Sequence, residues 1–376
     1  MSENKKKYRS LKSMPGRCNA LYLSFREMLI VIPLALAVSL WLLPYLWERS
    51  EKYDFQEPDF RISYDLRDDY WSYRQWGDYA AEKYDVMFVG DSVVWGMYTD
   101  NFHTLSHYYN EKKGEPTAAN LGIDGLHPVA LEGLMADFGR GLRDKKIYLY
   151  FNALWLNSDK FDLTYRPLID EDGVPEKLTV MHPRLIPQFD RSIEGYGEPL
   201  KKRMSAAMER NLPLYSLLNH LRGVWYDNKS LAEWMLANPT DNPLTRPGFA
   251  LSAVEREHKN RATPWNKPRA FEVAYDWVLA ERSLQLNAFI RTAQLLKERG
   301  NDVTIVVGAF NTHMLDERSL EAYEKLVSDA EDRFDDADLE YLELETLPSE
   351  SYADASHPLD IGYENMAEQI IQYEED

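Results

Sequence analysis

Hydrophobic and polar positions fall into two regimes along this chain. Residues 28–47 form one unbroken uncharged run, whereas from residue 84 onward short apolar runs alternate with stretches of helical spacing. The short runs are VMFV at 86–89 and those within TAANLGIDG, KKIYLYFNALWLN, DVTIVVGAF and LEYLELE. They read as strands, since continuous β-branched and aromatic runs of this length suit a sheet covered on both faces. Helical spacing follows each strand: near 99–112, in HPVALEGLMADFGRGL, and near 271–299, 316–334 and 361–373. Five strands separated by helices predict an α/β fold built on a doubly wound five-stranded parallel sheet. Sites in such sheets form outside the carboxyl ends of the strands.

The alternation stops over 159–269, a proline-dense stretch with short helical pieces such as LYSLLNHLRGVWYD and LAEWMLA. A structureless loop of that length would be unusual. It reads as an insertion, either a cap over the strand ends that shapes a cleft or a second packing layer. The α/β domain therefore comprises 84–158 and 270–376.

The uncharged run at 28–47 is long enough to cross a bilayer as a helix, and its two prolines are tolerable there. The leader, 1–27, holds seven basic residues against two acidic ones, a net of +5. That excess predicts a cytoplasmic N-terminus with the bulk of the chain extracytoplasmic, periplasmic or at the cell surface. A leader of this length with no small-residue cleavage pattern after it favours an uncleaved anchor over a signal peptide. Residues 48–83 are acidic and aromatic. Their first half reads as an extended tether and their second, YWSYRQWGDYAAEK, as a helix packed on the domain.

Composition narrows the partners. Of 376 residues, 28% are charged and 44% hydrophobic, a globular balance. The net charge is −19, so the chain beyond the leader carries −24. A domain this acidic lacks the basic footprint that nucleic acid or anionic lipid requires. The single cysteine, Cys18, precedes the apolar run, so no intrachain disulfide or cysteine-based zinc site is available.

Candidate chemistry centres on YDVMFVGDSVVWGMYT, 84–99, where a buried strand runs into Gly90-Asp91-Ser92. A small hydroxyl residue at a sharp strand-to-helix turn is a recurring way to expose a nucleophile, with the turn demanding glycine and the helix start lending unpaired amides to an anion. A hydroxyl nucleophile needs a base, the base needs an orienting carboxylate, and the intermediate needs oxyanion donors. Of eight histidines, His357 in YADASHPLD stands three residues after Asp354, in the loop between last strand and last helix. That loop lies on the same sheet edge as Ser92. His103 and His107 read as surface or packing residues, His127 as a helix start, and His313 as a loop histidine; His182, His220 and His258 fall in the insertion.

Four segments together resemble the sequence blocks of the GDSL, or SGNH, hydrolases: Gly90-Asp91-Ser92 with Gly96, the turn NLGIDG, the strand-end Asn152, and Asp354-x-x-His357-Pro. The resemblance covers about 84–157 and 271–373. It implies the flavodoxin-like fold of that family, with Ser92 as nucleophile and His357 and Asp354 completing a triad. It also implies an oxyanion hole formed by the amides of Ser92 and Gly125 and the Asn152 side chain, with no cofactor or metal. Gly125 fits the second block better than Gly122 because the family glycine ends the turn. The third block departs from the family pattern, with Phe151 before the asparagine and Ala153 after it, so Asn157 is a substitute candidate. Asp91 reads as structural.

These readings imply a membrane-anchored serine esterase or O-acyltransferase acting on acyl, above all acetyl, esters of an extracytoplasmic glycan or a small acyl ester. The tether and insertion are similar to those of anchored family members that O-acetylate surface polysaccharides beside a multi-span acyltransferase partner. A different class is a non-catalytic glycan-binding or scaffold protein of the same fold. A metal-dependent hydrolase comes third, for no H-E-x-x-H or comparable spacing is present.

Overall fold

The computed structural model describes residues 23–375 except 56–57, 65–68, 167–179, 189–192, 194–198, 227, 243–249 and 253–261. Most of the basic leader, with Cys18, and His258 lie outside the described residues.

The chain opens with helix α1, Phe25–Ser50, a 26-residue helix long and apolar enough to cross a membrane. Ser24 and Glu27 form a capping box at its start, and Val38–Leu42 make a π-helical turn within it. Strand β1 (Lys52–Asp54) and helix α2 (Tyr70–Lys83) lead to β2 (Val86–Gly90) and the short α3 (Ser92–Trp95). Then come α4 (Leu105–Lys113), β3 (Ala118–Gly122), α5 (Pro128–Asp137) and β4 (Lys146–Phe151). The insertion holds α6 (Leu200–Asn211), α7 (Pro213–Tyr226), α8 (Leu231–Ala237) and β5 (Ala250–Ser252). The chain closes with α9 (Leu284–Glu298), β6 (Asp302–Val307), α10 (Glu317–Asp336), β7 (Glu340–Glu343) and α11 (Asp360–Glu375).

Five strands form the parallel sheet in the order β3-β2-β4-β6-β7. The sheet is wound on both sides because β4 alternates its faces. Tyr148 meets Tyr109 of α4 on one side, while Phe151 meets Phe289 of α9 and Phe334 of α10 on the other. The strand register places Gly90 beside Gly122 and Val89 beside Leu149, so the carboxyl ends of β2, β3 and β4 share one edge. β1 and β5 pair in a separate two-stranded sheet.

Two expected helices start later than their periodicity suggests. The stretch after Thr99 first makes a 3-10 turn over Asn101–His103, capped by Asp100, and α4 starts after the Thr104 cap. The helix expected from residue 271 starts only at Leu284, where the Ser283 hydroxyl caps it. Residues before it run extended along the domain, Val273 bridging to Leu315 and Trp277 donating to the Ser319 carbonyl. Apolar side chains in this segment mimic helical spacing, but hydroxyl caps at Thr104 and Ser283 set the actual starts.

The insertion divides between two places. Helix α7 packs against α1 and α2, with Trp225 edge-on to Trp47 at 5.5 Å. Residues 181–188 instead run beside α5 and the turn after β3, where Leu185 closes on Gly133 and Arg210 holds the Ile186 carbonyl.

Candidate active site

The edge formed by the ends of β2, β3 and β4 receives the loop before α11, and there Ser92 meets His357. The Ser92 Oγ and His357 Nε2 lie 2.8 Å apart, although 265 positions separate them in the chain. On the far side of the imidazole, Nδ1 is 2.8 and 2.9 Å from the two carboxylate oxygens of Asp354. A carboxylate only accepts, so Nδ1 carries the proton and donates it to Asp354. Nε2 is left to accept the Ser92 O–H. Ser92 is buried, and the ordering of hydroxyl, imidazole and carboxylate is that of a base-activated nucleophile.

The loop is tied down by its own backbone. Ala353 N–H donates to the His357 carbonyl, Leu359 N–H to the Ser351 carbonyl, and Asp354 Oδ1 accepts from the amides of Ser356 and His357. Asn311, fully buried beyond the end of β6, clamps it from outside. Its backbone N–H donates to the Ala355 carbonyl and its side-chain amide to the Asp354 carbonyl. Tyr98 stands edge-on to the imidazole with ring centroids 5.5 Å apart.

Electrostatics favour a charge-separated pair once a proton moves. Burial pulls the His357 pKa down, but the hydrogen bond and charge of Asp354, then the charges of Asp91 and Asp124, raise it above the ordinary 6.5. Burial pushes Asp354 up, yet its bonds and charge interaction with His357 and two backbone amides hold it below the usual carboxylate value. The two directions agree: the Asp354 carboxylate stabilises the charged imidazole more than solvent does for a free histidine, so the cation formed when His357 takes a proton is supported.

Asp91 caps α3 by accepting from the Val93 N–H, and its second oxygen accepts from Asn152 Nδ2 and Trp155 Nε1, each at 2.8 Å. Burial nevertheless raises its pKa, with those donors opposing. Asp91 thus acts as the post that joins the Ser92 turn to the end of β4. Asn152 gives one of its two amide hydrogens to that post, while its oxygen accepts from the Leu154 N–H. The alternative, Asn157, bonds to the Ser158 hydroxyl beyond the 3-10 turn Ala153–Leu156.

The glycines of the site differ in their reasons. Gly90 has an ordinary φ and is required for space, since a Cβ there would lie 2.6 Å from Val94 Cγ2 and 3.0 Å from Tyr150 Cβ. The turn therefore excludes side chains by packing rather than by backbone conformation, contrary to the sequence expectation. Gly125 has a φ of +67°, and a Cβ there would fall 2.0 Å from Met181 Cε. Among the described residues, neither the Ser92 nor the Gly125 N–H has an acceptor. Helix α3 spans only four residues before Gly96, at φ +90°, ends it, so these local amides matter more than any helix dipole.

Several residues at the site carried no sequence signal. Asp124 precedes Gly125, and burial lifts its pKa to about 6, with His357 pulling down and Asp91 pushing up. His182 of the insertion lies 2.8 Å from the Asp124 carbonyl. Asn311 follows a strand end, and that position alone was the clue that could have singled it out. The other histidines are engaged elsewhere: His103 with Asp100, His107 with Asp59, His313 with the Leu347 carbonyl, and His220 between Glu51 and Asp69. Among the described residues no three His, Cys, Asp or Glu side chains are grouped to hold a metal ion.

The chain matches no protein-family model, and no curated protein matches it.

Proposed function

We propose that this chain is a serine-dependent ester hydrolase or O-acyltransferase of the SGNH type, anchored by α1 and acting on acyl esters of an extracytoplasmic glycan. The observation that carries the reading is the continuous contact from the Ser92 hydroxyl through His357 to Asp354. In the proposed reaction His357 Nε2 takes the Ser92 proton as Oγ attacks the ester carbonyl. The amides of Ser92 and Gly125, with the remaining Asn152 N–H, receive the negative charge that develops on the carbonyl oxygen. Collapse breaks the ester C–O bond, and the imidazolium returns its proton to the departing alcohol. Water, or a sugar hydroxyl, then attacks acyl-Ser92, again with His357 as base; the acyl C–Oγ bond breaks and the imidazolium returns the proton to Ser92 Oγ. Asp354 keeps the imidazole in the required tautomer and stabilises its charged form.

Support for the setting comes from the N-terminal segment and from the charge of the domain. α1 is apolar enough to span, and the +5 leader before it favours a cytoplasmic N-terminus with the site outside. A neutral glycan ester suits an acidic domain better than a polyanion does, and a multi-span acyltransferase would be the natural donor if transfer rather than hydrolysis occurs.

The test is labelling of the full chain in detergent by a fluorophosphonate probe. Labelling should vanish in Ser92→Ala and weaken strongly in His357→Ala. Unlabelled wild type would favour a scaffold role instead. Mass spectrometry of acylated oligosaccharides incubated with the protein separates loss of acyl groups from their transfer.

A further inference from the structure

Gly125 N–H belongs to the same peptide unit as the Asp124 carbonyl, and the other side of that unit is held by a residue from the insertion. His182 Nε2 lies 2.8 Å from the Asp124 carbonyl oxygen. Its Nδ1 lies 3.1 Å from the hydroxyl of Tyr70, the first residue of α2. A carbonyl only accepts, so Nε2 carries a proton and donates it. In the neutral imidazole Nδ1 then accepts from the Tyr70 O–H. Tyr70 and Asp124 therefore stand at the two ends of one short relay.

The backbone that presents His182 is itself fixed. His127, buried at the start of α5, has Nε2 3.0 Å from the Met181 carbonyl. Burial above all depresses its pKa to about 4, with any charge on His182 acting in the same direction, so it is neutral and its single N–H serves this bond. Its other nitrogen lies 3.3 Å from the Gln285 side-chain amide, which donates in turn to the Phe161 carbonyl at 2.8 Å. The thioether end of Met181 lies over Gly125 and would have to move to admit a Cβ there.

We propose that His182 is a positioning residue for the oxyanion hole: it fixes and polarises the Asp124–Gly125 peptide so that the Gly125 N–H is held toward the Ser92 attack site. This rests on the functional reading above and extends it by giving the insertion a part in the chemistry. A peptide unit is planar, so a donor anchored on its carbonyl fixes the direction of its N–H. Bonds in series also strengthen one another, and a donor whose partner carbonyl is already bonded is the stronger donor. Asp124–Gly125 is the central peptide of the turn closed by the Leu126 N–H on the Ile123 carbonyl, and with a glycine at φ +67° such a peptide has two orientations, of which the His182 bond selects one. The relay is aimed at charge that exists only in the transition state. It should act on kcat and leave KM alone.

The experiment compares the full chain in detergent as wild type, His182→Ala, His182→Gln, Tyr70→Phe and Ser92→Ala, with a soluble p-nitrophenyl ester as probe. His182→Ala should lower kcat roughly 10-fold, a fraction of the 10²–10³ that follows loss of a whole oxyanion donor, with KM within about twofold. His182→Gln, whose amide can donate to the same carbonyl, should recover most of the loss. The pH at which activity rises should not move, since His357 and Asp354 are untouched. If His182→Ala does not fold, Tyr70→Phe decides: kcat lowered a few fold at constant KM supports the relay, and wild-type kcat overturns it. A folded His182→Ala with wild-type kcat, or a loss that Gln fails to restore, also overturns it. Wild type no more active than Ser92→Ala would instead bring down the functional reading itself.

Discussion

One imidazole at the strand ends feels three carboxylates: Asp354 through a hydrogen bond, Asp91 and Asp124 through their charge. All three raise the His357 pKa against the burial that lowers it, and the proposed base works only when neutral. Activity on a soluble ester should therefore rise with pH through a midpoint above the ordinary 6.5. Asp124→Asn removes one negative charge, stabilises the imidazolium less, and should shift that midpoint to lower pH in a pH–rate profile; a midpoint that stays put would remove Asp124 from the circle. Gly125→Ala tests the neighbouring residue. A left-handed backbone costs a non-glycine residue roughly 1–2 kcal/mol, and Met181 would have to move as well. Urea denaturation should show a loss of about that size, and kcat should fall more than about 10-fold as the peptide proposed to hold the oxyanion is displaced.

At the scale of elements, the helix α2 shows what could be read in advance. The expected YWSYRQWGDYAAEK stretch is helical over its full length because Asp69 caps it and its buried Trp71, Tyr73 and Trp76 fall on inward positions. The strands that carry Ser92, Gly125 and Asn152 were legible for a similar reason, each being a continuous buried run. The part played by 181–188 was not, since a short irregular segment has no periodicity to announce its partner. Nor was Asn311, whose two bonds to the Asp354 loop depend on a tertiary meeting rather than on sequence spacing. Asn311→Ala leaves the Asp354 and Ala355 carbonyls less firmly held, and should cost about 1–3 kcal/mol in stability together with a fall in kcat. Equal activity in a folded variant would show that the loop is held by its own backbone alone.

A second element-scale junction joins α1 to the body. His220 of α7 is fully buried, with Nε2 2.9 Å from Glu51 at the end of α1 and Nδ1 3.0 Å from Asp69 at the start of α2. Burial works against its charge, but Asp69 and then Glu51 more than offset it and lift the pKa to about 9. A pKa above the unfolded value of 6.5 means stabilisation present in full below that pH and lost as pH climbs through about 9. Removing the partner strands buried carboxylates, so His220→Ala should cost roughly 3–5 kcal/mol. Measured by denaturation across this pH range, wild type should lose stability more steeply than His220→Gln. Parallel slopes would mean that the histidine is not charged in the folded chain.

For the whole molecule, the proposal joins three features that no single segment contains: an apolar helix that can enter a bilayer, an insertion shared between that helix and the site, and a parallel sheet that brings distant residues to one edge. The full chain should stay with membranes through alkaline extraction, with the domain beyond α1 digested by protease added from outside. Release by alkali would make α1 a packing helix rather than an anchor. The central claim is that Ser92 becomes acylated. Wild-type protein mixed with p-nitrophenyl acetate and quenched in acid should yield, by mass spectrometry, one acetyl group on the peptide carrying Ser92, absent in Ser92→Ala and scarce in His357→Ala. No adduct, or one settled on a different residue and indifferent to His357, would contradict the account.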